Sequence, residues 1–122
     1  MLKKIQKLLS GKTAPKTSAD LSDALDEIDL AALRATADEA ARRRAALLLT
    51  GSDAEILAAE RAADEARLAV DRAEALRSEL ERRKAEAEEV ERKAKIERQH
   101  REAKAALDEA VALIEAEYPD LA

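Results

Sequence analysis

The sequence predicts an all-α protein built around a long antiparallel helical hairpin, a coiled coil whose second helix is much longer than its first. Ala, Glu, Leu, Arg and Lys dominate the composition, charged residues make up 40% of the chain and aromatic residues 1%. Such a composition is typical of coiled coils and long helices. Glycine occurs only as Gly11 and Gly51, so long helices can run on either side of one turn. Apolar residues recur at helical spacing on both sides of that turn.

The turn lies at Thr50-Gly51-Ser52. Gly51 suits the left-handed position that follows the last residues of a helix. Ser52 and Glu55 have the spacing of a capping box, in which two residues satisfy each other's hydrogen bonds at the start of a helix. Because one helix stops where the next begins, the second helix is expected to fold back on the first.

These signals divide the chain into three parts. Residues 1–17 form a basic amphipathic arm and linker, residues 18–118 form the hairpin, and residues 119–122 form a C-terminal tail. Within the hairpin we predict a helix over 19–49, a turn over 50–52 and a helix over 53–118. Pro119 ends the second helix because proline cannot continue the backbone hydrogen bonding.

Apolar stripes follow both helices. Mirror counting about the turn pairs Leu47 with Ile56 and Leu33 with Val70, and the first helix runs out opposite residue 84. The apolar stripe of the second helix fades at the same point, where acid–base pairs at i,i+4 are expected to hold the helix together. The first helix carries Leu21, Leu25, Ile28, Ala32 and Ala35 on one stripe, and Leu30, Leu33, Ala37, Ala40 and Leu47 on the adjacent one.

An amphipathic pattern returns near the C-terminus, where the hairpin offers no partner. A second copy or another protein is therefore expected to cover it. We predict an antiparallel homodimer through this half, because one two-fold axis then buries the extension of both chains. The contact residues are Ala103, Leu107, Ala110, Val111, Ile114 and Tyr118.

The N-terminal arm has two equally weighted interpretations. It packs on the open end of the hairpin, or it docks as a short helix in the groove of a protein partner. Binding of its lysines to an anionic membrane surface or to nucleic acid is a less favoured third possibility. The arm residues are Leu2, Lys3, Lys4, Ile5, Lys7, Leu8 and Leu9.

The sequence predicts no catalytic, cofactor-binding or metal site, and hence no enzyme. The chain has no cysteine and one histidine, His100, which a solvated helix position explains better than a role as ligand or base. Arg42-Arg43-Arg44 and Arg82-Arg83-Lys84 are better explained by intrahelical ion pairs than by phosphate binding. A net charge of −5 and the lack of stacking aromatics disfavour nucleic acid.

The stretch AARRRAALLLTGSDAE over residues 40–55 resembles small Ala/Arg/Glu-rich coiled-coil proteins encoded by phages and prophages of high-GC bacteria. The resemblance implies a role in virion assembly, as a scaffold or accessory protein, or as a small inhibitor of a host complex. It carries over no functional residues.

Taken together, these features predict a non-enzymatic coiled-coil module for protein interaction or structure, without a cofactor. Its partners are proteins, including a second copy of itself. The alternatives are a small inhibitor or adaptor of a host protein complex, and a nucleic-acid or membrane-surface binder acting through the arm. No apolar run approaches the roughly 20 residues that span a bilayer, so the expected location is the cytoplasm, or the virion if a phage encodes the chain.

Overall fold

The structure, a computed structural model, describes Lys3, Ile5, Gln6, Leu9 and residues 17–118. This part of the chain is all-helical and contains no strand. Residues 17–118 form three helices: α1 over Ser18–Asp26, α2 over Leu30–Thr50 and α3 over Asp53–Glu117. The chain divides into two compact units, unit 1 over Met1–Ala85 and unit 2 over Glu86–Ala122.

The segment predicted as one helix over 19–49 is broken at residues 27–29, so the prediction of a single helix is wrong. Asp29 causes the break, because its Oδ1 accepts a hydrogen bond from the Ala32 N–H at 3.0 Å. A short acidic side chain competes for backbone N–H groups and thereby favours a helix start over a helix interior. Thr17 caps α1 in the same way, accepting from the Asp20 N–H at 3.2 Å.

The break also decides which apolar stripe of α2 is covered. Ala32 and Ala35, predicted to continue the stripe of Leu21 and Leu25, are exposed. The non-helical residues before α2 change the rotation at which the helix restarts, so the adjacent stripe takes over. The covered positions of α2, spaced by three or four residues, are Leu30, Leu33, Ala37, Ala40, Arg44 and Leu47.

Gly51 ends α2 in an extended conformation, with φ −87° and ψ 162°, and not in the predicted left-handed one. Its N–H donates a hydrogen bond to the Leu47 carbonyl at 2.7 Å. A Cβ atom at this position would lie 2.8 Å from the same oxygen. Close approach of backbone to backbone, rather than a positive φ, therefore explains the glycine.

Ser52 starts α3 immediately afterwards. Its Oγ accepts a hydrogen bond from the Glu55 N–H at 3.3 Å and lies 3.2 Å from the Glu55 carboxylate, to which the hydroxyl donates. The Ser52 carbonyl accepts from the Ile56 N–H at 2.9 Å. The Ser52 half of the predicted capping box is thus present, while the Glu55 carboxylate contacts the Ser52 hydroxyl. Gly51 and Ser52 are the two residues between α2 and α3.

Two ion pairs join α2 to α3 within unit 1. Arg44 lies 3.7 Å from Glu60, and Arg34 lies 3.0 Å from Glu74. The partners occur in opposite order along the two helices. The residues of α3 that are buried in this unit are Ala59, Ala73 and Leu80. Two of these three are alanines, whose small side chains allow neighbouring helices to approach closely.

Unit 2 contains the remainder of α3, whose side chains are exposed throughout residues 90–118. The helix ends at Glu117, one residue earlier than predicted, although the Tyr118 N–H still donates to the Ile114 carbonyl at 2.8 Å. Proline disfavours helical conformation in the residue before it, which explains why Tyr118 is not part of the helix. Pro119 itself and the predicted tail over 119–122 lie outside the described residues.

The unit boundary differs from the predicted division into arm, hairpin and tail. Ile5 and Leu9 belong to the same compact unit as α1 and α2, and the boundary at residues 85 and 86 falls inside α3. That position coincides with the point near residue 84 where mirror counting leaves the second helix without a partner.

Candidate functional site

An uncovered apolar face follows α3 in unit 2, and we call its residues from Ala103 to Tyr118 the C-terminal stripe. Leu107 is 64% exposed and Ile114 is 55% exposed. Monomeric soluble proteins rarely leave a large contiguous apolar patch in water, and such patches commonly mark interaction sites. All six predicted contact residues are exposed on this segment: Ala103, Leu107, Ala110, Val111, Ile114 and Tyr118.

Helical spacing brings the members of the stripe together. Ala103, Leu107, Ala110 and Ile114 follow one another at intervals of four, three and four residues, which places them on one side of a helix. Val111, Leu113 and Tyr118 flank that line. The structure thus presents the predicted residues as one continuous surface, with Leu113 beside them.

Ion pairs along the helix hold the segment that precedes the stripe. Lys93 lies 3.8 Å from Glu89, four residues away. Arg92 also contacts Glu89, three residues away. Such pairs are worth about 0.2–0.5 kcal/mol each in helices, so they support helical structure without requiring burial.

The described residues of the N-terminal arm are covered within unit 1. Ile5 is only 1% exposed, and Leu9 is half-buried. The Leu9 carbonyl accepts a hydrogen bond from Arg83 Nη2 at 3.0 Å. These contacts favour the packing interpretation over the docking one for this part of the arm. Lys3 is exposed, whereas Leu2, Lys4, Lys7 and Leu8 lie outside the described residues.

A carboxylate positions the arginine that contacts the arm. Glu79 accepts hydrogen bonds from Arg82 at 2.7 and 3.0 Å and from Arg83 Nε at 2.9 Å. The bonds from Arg82, followed by those from Arg83, lower the pKa of Glu79 to about 2. Glu79 therefore stays ionised well below neutral pH, and its role is to orient Arg83 towards the Leu9 carbonyl.

Three exposed leucines beside the connection between α2 and α3 were missed by the sequence reasoning; we call Leu48, Leu49 and Leu57 the tip leucines. Leu49 is 88% exposed. The signal was present in the run Leu47-Leu48-Leu49, because successive residues of a helix differ by roughly 100° and only one of the three can face α3. Leu47 is that residue, and it is half-buried.

An open recess of about 500 Å³ lies between α2 and α3. Its charged walls include two ion pairs, Arg44 with Glu60 and Arg67 with Asp64. No described side chain buries an unsatisfied polar atom. Its lining residues are Ala37, Asp38, Ala41, Arg44, Glu60, Ala63, Asp64 and Arg67.

Among the described residues, no group of three or more acidic, histidine or cysteine side chains is arranged to hold a metal ion. His100 is exposed on α3. None of the helices in the described part of the chain is both long and apolar enough to cross a membrane.

Comparison with known proteins finds no matching family model, curated protein or solved structure. The resemblance of residues 40–55 to phage-encoded coiled-coil proteins stays a prediction.

Proposed function

We propose that the chain is a non-enzymatic structural and protein-interaction module that works by self-association. In this proposal α2 and the first half of α3 form an antiparallel helical hairpin, a short coiled coil. The C-terminal stripe of α3 is the contact surface for a second copy. The observation that carries the proposal is the uncovered stripe, with Leu107, Leu113 and Ile114 each more than half exposed.

The hairpin is supported by contacts on both sides of the connection. Arg44 with Glu60 and Arg34 with Glu74 join the helices in opposite order, as an antiparallel pair requires. The covered residues of α2 and α3 recur every three or four positions, which is the spacing of a coiled-coil seam.

Self-association is supported by the free energy available from the stripe. Burying a large aliphatic side chain contributes about 1.5–3 kcal/mol. Leu107, Leu113 and Ile114 are 55–64% exposed in the single chain, so covering them in two copies would contribute roughly 5–11 kcal/mol. That is comparable with an association cost of about 4–15 kcal/mol.

The test is a charge placed in the stripe. Leu107→Glu is expected to convert a dimer to a monomer, because the interface would then bury an unpaired carboxylate. Leu68→Glu is the matched control, since Leu68 is also an exposed leucine of α3 (57%) but lies in unit 1. Sedimentation velocity measures both masses, with circular dichroism to check that both variants remain helical. A variant Leu107→Glu with the same mass as the unmodified chain would contradict the proposal.

The tip leucines favour a second candidate function, a small adaptor or inhibitor of a larger protein assembly. Leu49 is 88% exposed, and a group of exposed apolar side chains commonly marks an interaction site. Affinity capture from the native host tests it, comparing the unmodified chain with Leu49→Ser. Retention of the same proteins by both chains would count against a tip interface. Under either proposed function, the chain acts in the cytoplasm, or in the virion if a phage encodes it.

A further inference from the structure

We infer that the C-terminal stripe pairs with a second copy of this chain in one antiparallel register. The two-fold axis crosses the seam at the height of residue 105, and Ile96 lies opposite Ile114 of the second copy. This inference rests on the proposed function and adds the register in which the two copies pair. It also extends the interface upstream of the stripe, into the charged segment that precedes Ala103.

The first observation is a seam of uncharged residues that is symmetric in spacing. Its members are separated by four, three, four, three and four residues, so the interval pattern is the same in both chain directions. All are exposed in the single chain. A heptad seam with this symmetry can pair with an antiparallel copy of itself at every layer. The seam residues are Ile96, His100, Ala103, Leu107, Ala110 and Ile114.

The side chains are also matched across the inferred axis. Ile96 faces Ile114 of the second copy at both ends of the seam. In the inner layers, a larger side chain meets an alanine: Leu107 faces Ala103, and His100 faces Ala110. Alternating large and small residues across facing positions is how helix layers interdigitate without voids or overlap.

The second observation concerns the other apolar residues of unit 2. Among its described residues, every large apolar side chain lies on the seam or at a position directly flanking it. The flanking residues are Val90, Val111, Leu113 and Tyr118. The positions farthest from the seam carry Arg98, Ala105 and Ala112. One face of the helix therefore collects the apolar surface over the whole inferred contact.

Charge supplies the third observation and selects the occupant. Residues 92–104 contain six basic and two acidic residues, whereas residues 105–118 contain four acidic and no basic residues. The inferred register lays the basic block of each copy along the acidic block of the other. A parallel dimer would instead align each block with its own kind, and like charges side by side are destabilising.

The ends of the seam repeat this complementarity. The next seam positions outward are Lys93 and Glu117, which the register brings face to face between copies. In the single chain, Lys93 remains 72% exposed although it lies 3.8 Å from Glu89. A parallel arrangement would place Lys93 beside its own counterpart.

The test uses the absence of cysteine from the native sequence. Ile96→Cys and Ile114→Cys are prepared as separate full-length chains, mixed under reducing conditions and then oxidised. A disulfide requires Cα atoms within about 7 Å, and 96 and 114 are about 27 Å apart along one helix at 1.5 Å per residue. We expect a disulfide-linked dimer in the mixture and little in either variant alone, measured on non-reducing gels and by mass spectrometry.

Arg98→Cys mixed with Ala112→Cys is the matched control. In the inferred register, residue 98 of one copy lies at the same height as residue 112 of the other, but both point away from the seam, so we expect no rapid disulfide. Efficient cross-linking of Ile96→Cys with itself would establish a parallel dimer and overturn the inference. Equal cross-linking of seam and control pairs would overturn it as well.

A second measurement does not depend on cysteine. Ala103 lies on the seam and Ala105 on the opposite face, so Ala103→Glu is expected to raise the dimer dissociation constant at least roughly tenfold, while Ala105→Glu leaves it nearly unchanged. If the unmodified chain is a dimer by mass but neither the cross-linking nor the glutamate substitutions show the expected difference, the register is wrong and the proposed self-association stands. If the unmodified chain is a monomer, the register and the self-association are both wrong.

Discussion

Units 1 and 2 share one long helix and similar residue types, yet unit 1 buries apolar side chains of that helix and unit 2 leaves them exposed. In unit 1, Leu80 and Ala73 of α3 are fully buried, and Ile5 is almost fully buried. In unit 2, Leu107 and Ile114 of the same helix remain more than half exposed. Heptad spacing predicts that a helix has an apolar face, but a core forms only where another segment of the chain reaches that face.

The largest expected effect comes from making the same substitution in both units. Leu80→Ala is expected to lower the free energy of unfolding by about 2–5 kcal/mol, because it leaves a cavity in unit 1. Leu107→Ala is expected to leave the unfolding of unit 1 unchanged and to weaken self-association. Urea unfolding followed by circular dichroism measures the first effect, and sedimentation measures the second. Equal loss of unfolding free energy in both variants would contradict the contrast between a packed unit 1 and an uncovered face in unit 2.

Ala73→Leu tests how closely the helices of unit 1 approach. Ala73 is 0% exposed, and extra methylene groups in a packed interior typically cost about 1–3 kcal/mol. Ala105→Leu is the control in unit 2, where the side chain faces solvent and leucine is also a good helix former. Thermal unfolding of the two variants measures the difference. If Ala73→Leu unfolds at the same temperature as the unmodified chain, the helices are not closely packed at that layer.

The sequence predicted the helical class, the connection near Gly51 and the uncovered stripe, because each depends on local signals. Composition, the Ser52 and Glu55 spacing and the interval from Ala103 to Ile114 all act within a few residues. The division of the first helix was missed, since the prediction required a glycine or proline for a break. Asp29 caps the start of α2, so the break requires neither glycine nor proline.

Other misses arose because they depend on contacts that only the three-dimensional structure shows. The role of Gly51 follows from the position of the Leu47 carbonyl, which a left-handed turn signal cannot reveal. The covering of Ile5 and the hydrogen bond from Arg83 to Leu9 join residues far apart in the chain. The sequence left the packing and docking interpretations of the arm equally weighted for that reason.

Asp29→Ala sharpens the account of the break in the first helical segment. Loss of an N-cap side chain typically costs about 0.5–2 kcal/mol, and that loss is expected in the urea unfolding of unit 1. Asp71→Ala is the control, an exposed aspartate in the interior of α3. An increase in stability for Asp29→Ala would indicate that the chain gains by joining α1 and α2 into one helix.

The smallest expected effect is the pH dependence contributed by Glu79. Its pKa is lowered from 4.5 to about 2 by Arg82 and Arg83. A depressed carboxyl pKa contributes stability above the unfolded value, and that contribution is lost as pH falls from 4.5 towards 2. The effect is small because the side chain is partly exposed. Glu79→Gln is expected to show a shallower loss of stability than the unmodified chain over this window, with Glu65→Gln as the exposed control. Identical acid unfolding of all three chains would contradict the assignment.

The contrast between the two units depends on what covers the C-terminal stripe, and sedimentation equilibrium of the unmodified chain over a wide range of concentration tests this most directly. The account predicts a mass twice the chain mass of 13.3 kDa at micromolar and higher concentration, falling towards one chain mass on dilution. A mass of one chain that stays constant up to the highest concentration would contradict it.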